Sequence, residues 1–412
     1  MDKDKIELLA PAGDLEKLKY AVIYGADAVY FGGEMFSLRA GAGNMSTDEM
    51  KEGIGFAHER GVKCYLAVNI FPHNEDIVPF QAYLMKIKDF GIDAFIVSDP
   101  GILSIIKTVI PDGEIHLSTQ ANMTNYMTAK YWHKQGVKRI VLARELTFKE
   151  ITELAVKTPV DLEYEAFVHG AMCISYSGRC LLSNFMNERD ANRGQCSHPC
   201  RWKYALVEEK RPGEFYPVEE DNRGTYILNS RDLCMIEHIP DLIRSGLSSL
   251  KIEGRMKSLF YVATVVNAYR KAIDSFYDAP DQYKFNPELL DEVKKVSHRE
   301  FTTGFYYNQP TNKDQNYQTS AYTREYTFTG VVKSYDCETG YAIVEQRNKM
   351  SLGDEVEIFG PKTDYFRQTL VEMYDEEGNP IDSAPHPQQI LKIKIDKPVE
   401  KYFILRKKKE KE

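Results

Sequence analysis

The chain has 412 residues, 53 Lys+Arg against 61 Asp+Glu, 43% hydrophobic and 28% charged residues, a balance that excludes a disordered chain and supplies a sizeable core. No apolar run approaches the ~20 residues needed to cross a bilayer, the N-terminus lacks the apolar region of an export signal, and a cytoplasmic protein is expected. The net charge of −8 excludes a general positive coat, so any nucleic acid must meet a focused basic patch.

Runs rich in β-branched and aliphatic residues recur in chain order at 6–10, 28–31, 63–69, 94–98, 115–119, 139–142, 161–168 and 249–252. Helical patterns separate them, among others at 14–24, 46–60, 77–90, 122–135 and 147–155. Ser46 and Glu49 have the spacing of a capping box, and Gly25, Gly61, Gly91 and Gly136 each follow a helical stretch, where a left-handed residue is wanted. Eight strand–helix units most economically close into a (β/α)8 TIM-like barrel, with an open doubly wound sheet as the alternative. The gap between the seventh and eighth strands, 169–248, far exceeds the usual ~2 to 6 residues of a strand–helix loop. Within it, 202–210 and 215–226 alternate as a hairpin, and 230–244 reads as a helix returning to the barrel. The barrel core is expected over 1–301, with further helices at 258–277 and 287–298. A polar linker follows at 302–324, and then short alternating strands over 325–406, including 327–333, 341–345 and 355–359, suggest a small β-barrel domain. The basic run from Arg406, including 407–412, reads as a solvated charged tail.

Seven cysteines without an export signal point to metal ligands, reactive thiols or core packing rather than disulfides. Five of them, Cys173, Cys180, Cys196, Cys200 and Cys234, fall within 62 residues of the long insertion. A barrel builds its active site from such loops, so several thiolates around one metal centre are expected, against the plainer reading of buried small apolar residues. Zinc and an iron–sulfur cluster both accept four thiolates. Compact cysteine pairs would mark zinc, whereas only Cys196 and Cys200 are close here, which favours the cluster. Arg179, Arg189, Arg193, Arg201 and Lys203 against Glu188 and Asp190 give a local charge of +3, suited to phosphate or carboxylate. Trp202 and Tyr204 are either stacking surfaces for a base or hairpin core.

If the barrel is right, Asn69, Gln120, Arg144, Glu145, His169, Glu253 and Arg255 stand at strand ends. Glu253 beside Arg255 is either an acid/base carboxylate with an anion-binding guanidinium or an ion pair closing the barrel. His169 is either a satisfied core histidine or a ligand or proton donor. The Gly-rich segment around Arg39 is weak evidence for an anion site.

Taken together, Leu8-Leu9-Ala10-Pro11-Ala12-Gly13, Phe167-Val168-His169-Gly170-Ala171-Met172-Cys173, Ser177-Gly178-Arg179-Cys180 and Lys251-Ile252-Glu253-Gly254-Arg255-Met256-Lys257 resemble peptidase family U32. The resemblance implies two histories: a collagenase-like protease assignment, and oxygen-independent hydroxylation of tRNA uridine, ribosomal RNA cytidine or ubiquinone precursors by iron–sulfur members. Length and C-terminal domain align the chain with the members linked to 5-hydroxyuridine at the tRNA wobble position, for which prephenate is a required metabolite. The resemblance places a 4Fe-4S cluster on Cys173, Cys180, Cys196 and Cys234, with Cys200 as a substitute ligand. Glu253, Arg255 and His169 become catalytic candidates, Arg39, Arg179, Arg193 and Arg201 substrate-binding ones, and a paralogous partner subunit is expected. A peptidase, or a non-catalytic RNA-binding or assembly factor, remains an alternative. The chain shows neither an HExxH helix nor a GxSxG elbow.

Overall fold

The computed structural model describes residues 5–37, 44–172, 180–201, 205–207, 215–217, 231–308 and 323–409. Strands β1 (Glu7–Pro11), β2 (Ala28–Phe31), β3 (Lys63–Val68), β4 (Ala94–Val97), β5 (Glu114–Leu117), β6 (Arg139–Val141) and β7 (Glu163–Ala171) alternate with helices. These are α1 (Leu15–Ile23), α2 (Thr47–His58), α3 (Asn74–Ile87), α4 (Pro100–Val109), α5 (Tyr126–Lys134) and α6 (Phe148–Lys157). The insertion contributes α7 (Leu182–Asn187) and the short strands β8 (Ala205–Val207), β9 (Phe215–Pro217) and β10 (Asp232–Cys234), before α8 (Ile239–Arg244) leads into β11 (Ser249–Ile252). Each of β1 to β7 pairs in parallel with its sequence neighbour, and β11 pairs in parallel with both β7 and β1. The expected eight-stranded barrel is therefore closed.

Alternation along the strands explains the closure. Leu9, Ala28, Tyr30, Tyr65, Ala67, Ala94 and Ile96 form a cluster of their own inside the barrel. Their neighbours Leu8, Ala10, Val29, Phe31, Leu66 and Phe95 pack in the outer core with the helices, as a two-residue period requires. The Ser46–Glu49 capping box forms at the start of α2, and Gly25, Gly61, Gly91 and Gly136 all have positive φ. A layer of ions plugs the amino end of the barrel. Arg139 reaches Glu7 at 2.5 Å and Glu163 at 2.7 Å, and the Tyr65 hydroxyl donates to Glu7 at 2.7 Å.

Strand β7 is longer than its neighbours, and its overhang pairs antiparallel with β10, setting Ala171 opposite Asp232 and His169 opposite Cys234. This corrects the expected helix at 230–244. Its start, Asp232–Cys234, is strand β10, because the overhang offers an unpaired edge that the chain must satisfy, and only the end of the expected helix survives as α8. The expected hairpin survives as the β8–β9 pairing, and its remaining residues lie outside the described ones.

After α9 (Leu259–Asp278), α10 (Pro287–Lys294) and β12 (Phe301–Thr302), the chain enters the C-terminal domain. Its strands are β13 (Tyr326–Asp336), β14 (Tyr341–Gln346), β15 (Met350–Ser351), β16 (Glu355–Phe359) and β17 (Phe366–Thr369). They continue as β18 (Met373–Tyr374), β19 (Ser383–Ala384), β20 (Ile390–Lys394) and β21 (Ile404–Lys408). Seven of them form one curled antiparallel sheet in the order β17-β16-β21-β13-β14-β20-β18. The sheet has its own core around Val344, Ile358, Leu391 and Leu405, while Val331, Phe359 and Ile404 join the barrel core.

Polar ties fasten the same junction. Tyr24 donates to the Tyr402 carbonyl at 2.9 Å, Lys271 meets Asp364 at 2.8 Å, and Arg406 bridges Glu292 at 2.8 Å and Glu357 at 2.9 Å. The expected charged tail is thus wrong in its first half. Arg406, Lys407 and Lys408 belong to β21, and Arg406 is fully buried. A basic run also fits an edge where each cation finds a carboxylate, as Lys407 does on Asp354 at 2.6 Å.

Candidate active site at the barrel mouth

The carboxyl ends of the strands open into a cavity of about 690 Å³ with three kinds of wall. Strand-end residues Asn69, Gln120, Arg144, Lys251, Glu253 and Arg255 form its floor, the insertion adds Cys180, Cys196 and Cys200, and the C-terminal domain closes one side with Arg324, Phe328, Asn348 and Lys409. Asn69 donates to Ser118 and to Gln120, each at 3.1 Å.

Gly170 makes this end possible. Its φ is +110°, and a Cβ there would stand 2.6 Å from the Glu253 carbonyl oxygen. That close approach lets β7 and β11 stay paired through the register shift at Lys251 and Ile252.

Six cations line the cavity among the described residues, Arg144, Lys251, Arg255, Lys257, Arg324 and Lys409, against one carboxylate, Glu253. The Arg144 guanidinium carbon stacks 3.8 Å from the Phe167 ring centre and reaches Glu253 only at 3.7 Å. Arg255 is 4% exposed and donates to the Ser37 hydroxyl at 2.6 Å. Such a lining favours anions, and planar guanidinium groups favour phosphate or carboxylate.

Cys196 and Cys234 stand in different surroundings. The His198 N–H donates to Cys196 Sγ at 3.4 Å, an aim made possible by the left-handed φ of +57° at His198. The Tyr269 hydroxyl near Cys234 donates to the Val168 carbonyl at 2.8 Å. Burial pushes the Cys234 thiol up to about 12, with Ile236 and Tyr269 acting weakly the other way. N–H groups two residues beyond a cysteine stabilise the thiolate, the form that binds metal. The His198 N–H therefore fits a thiolate at Cys196.

Cys234 is buried in β10 behind the lining and does not face the cavity, and Cys173 lies outside the described residues. Among the described residues, His58, Cys64 and Asp93 are the one group whose donor atoms gather within 4.8 Å. There Asp93 already accepts from the Cys64 N–H at 2.7 Å and meets His58 at 2.8 Å.

Of the other residues expected at the site, Glu253 and Arg255 line the cavity, as do Asn69, Gln120 and Arg144. The His169 ring does not. It packs edge-on against Tyr269 and Phe301, and burial, with His298 and Lys257 nearby, holds its pKa down to about 3. This position suits a neutral core histidine bracing β7 against β10. Arg39 and Arg179 lie outside the described residues, and Arg193 and Arg201 are placed in backbone only, in the turns Ala191–Arg193 and Pro199–Arg201. Sequence reasoning missed Lys251, Lys257 and the wall formed by the C-terminal domain. A charged residue inside a strand buried on both faces was the available signal for Lys251.

The cavity can be set beside known proteins. The tRNA hydroxylation protein P1 of Bacillus subtilis (strain 168) is 44% identical over 403 residues, covering 98% of this chain and 95% of its own. The tRNA hydroxylation protein P of Escherichia coli (strain K12) is 39% identical over 425 residues, covering 92% of each. A crystal structure of the C-terminal domain of a Geobacillus thermoleovorans protein assigned to the U32 peptidases is 48% identical, with a TM-score of 0.20, covering 20% of this chain and 92% of that one. Peptidase family U32 matches residues 13–316 and the U32 C-terminal domain matches residues 324–406, so the chain belongs to peptidase family U32.

Proposed function

We propose that this protein hydroxylates tRNA, placing a hydroxyl on C5 of the wobble uridine by an oxygen-independent route, with a 4Fe-4S cluster as cofactor and prephenate as the small acid. One observation carries the reading: thiols and six cations face a single cavity at the catalytic end of a barrel. Relatives similar over nearly the whole chain are named for tRNA hydroxylation.

Cys173, Cys180, Cys196 and Cys234 would hold the cluster, with Cys200 able to replace one of them. Bound there, the cluster supplies one-electron transfer. The described sulfurs are not gathered within 4.8 Å in threes.

The protein's own side chains do the rest. Lys257, Arg324 and Lys409 at the rim meet the RNA backbone, and the Tyr326 and Phe328 rings offer faces to an unstacked base. Glu253, held near Arg144, is placed to accept a proton inside the cavity, and Phe167, Phe260 and Tyr261 limit water. A paralogous partner subunit belongs to the same reading. Among the described residues no helix is long and apolar enough to cross a membrane.

The test is nucleoside mass spectrometry of bulk tRNA from a deletion strain that lacks any redundant paralogue. Loss of 5-hydroxyuridine-derived wobble nucleosides, restored by the intact gene, is expected. An unchanged nucleoside profile would remove the proposal.

A further inference from the structure

Lys251 on the cavity floor belongs to an ion pair that the reading above leaves unused. Lys251 on β11 is 3% exposed yet lines the cavity, and Glu165 on β7 is fully buried. Their Nζ and Oε1 atoms are 2.7 Å apart. The other Glu165 oxygen has no hydrogen-bond partner and meets the Arg139 guanidinium only at 3.5 Å. Lys251 Nζ also sits 4.3 Å from the Tyr30 ring centre and 5.5 Å from that of Phe167, the ring beneath Arg144.

An amine backed by a buried acid/base carboxylate and two guanidinium groups thus stand on one cavity, the carboxylate behind the amine. An amine with a carboxylate neighbour attacks carbonyl carbon when the proton passes to the neighbour. Guanidinium groups hold a carboxylate. A carbonyl joined directly to a carboxylate matches both. The floor lies among the buried strand ends, a place suited to a small free acid.

We propose that Lys251 forms an imine with a small 2-oxo acid whose carboxylate is held by Arg144 and Arg255. The proposal rests on the reading that a small organic acid works at this site. Lys251 gives a proton to Glu165, and its nitrogen lone pair adds to the carbonyl carbon. The carbonyl π pair becomes a hydroxyl, taking a proton from the nitrogen. Glu165 then protonates that hydroxyl, which leaves as water, and the protonated imine remains. Amine and carbonyl give imine and water, with no oxidant or reductant. Burial also drives the lysine pKa down, against the opposing pull of Glu165, which favours the neutral amine.

The alternative is a structural ion pair filling the barrel, and reductive trapping separates the two. The full chain is incubated with pyruvate or phenylpyruvate and sodium cyanoborohydride, then weighed intact and mapped by peptide mass spectrometry. One reduced adduct per chain on Lys251 is expected, absent in Lys251→Arg and at least tenfold slower in Arg255→Gln. No adduct, or adducts spread over other lysines, overturns the proposal, and the wild-type map decides even if a variant fails to fold. Calorimetry with the same acids keeps the two readings apart. Binding without an adduct sinks the imine alone, whereas neither binding nor adduct sinks the small-acid reading too.

Discussion

Gly170→Ala is expected to lose about 3 kcal/mol or more of stability, since left-handed strain of ~1–3 kcal/mol adds to a Cβ placed 2.6 Å from the Glu253 carbonyl oxygen. The obstacle is backbone, so no side chain can swing aside. Relief requires β7 and β11 to part where they close the barrel, and Glu253 moves with them. Gly353→Ala is the control. Its φ is +88°, but a Cβ there meets nothing within 4 Å, so only the conformational cost of about 1 kcal/mol applies. Urea unfolding of both variants checks the contrast. Similar midpoints would mean that β7 and β11 tolerate separation and that the mouth is less tightly built than the geometry indicates.

Arg406→Ala is expected to cost about 3–5 kcal/mol, the usual penalty for stripping one partner from a buried ion pair. Arg406 is fully buried between Glu357 of β16 and Glu292 of α10, with its guanidinium carbon 4.6 Å from the Phe359 ring centre. The loss falls at the junction, so the wall carrying Lys409 loosens with it. The same network predicts a pH dependence. Burial pushes the Glu357 carboxyl up, but Arg406, Lys295 and Arg367 outweigh it and hold the pKa below its ordinary value. A carboxyl depressed on folding stabilises fully above its unfolded pKa of ~4.3, and that contribution disappears as pH falls through the folded value. Urea unfolding between about pH 6 and pH 3 should show a steeper acid loss in the wild type than in Arg406→Ala. Parallel curves would contradict the assignment.

The barrel was legible because a strand buried on both faces must read as an apolar run. Ala28–Phe31 and Ser249–Ile252 emerge with the expected ends, and β3 to β6 within a residue or so. Strand β10 was hidden. Its three residues pair with an overhang 61 or more positions earlier in the chain, and the ladder from Asp232 to Ala171 leaves no local pattern. The clustering of cysteines announced the thiol wall, but no spacing announced that the C-terminal domain would supply Arg324 and Lys409 to the same cavity, since docking depends on shape. Glu165 and Lys251 did carry a signal: two charges inside strands with no solvent face must find each other or a ligand.

The most direct measurement is complementation of the deletion strain with cysteine variants, read as hydroxylated wobble uridine in bulk tRNA. Cys337, exposed in the C-terminal domain, supplies the control, and Cys180 and Cys196 supply the cavity sulfurs. Cys337→Ser should restore the modification as the wild type does, while Cys180→Ser and Cys196→Ser should leave it at the deletion level with the protein folded and present. Full restoration by both cavity variants would contradict the claim that chemistry at the barrel mouth depends on those thiols.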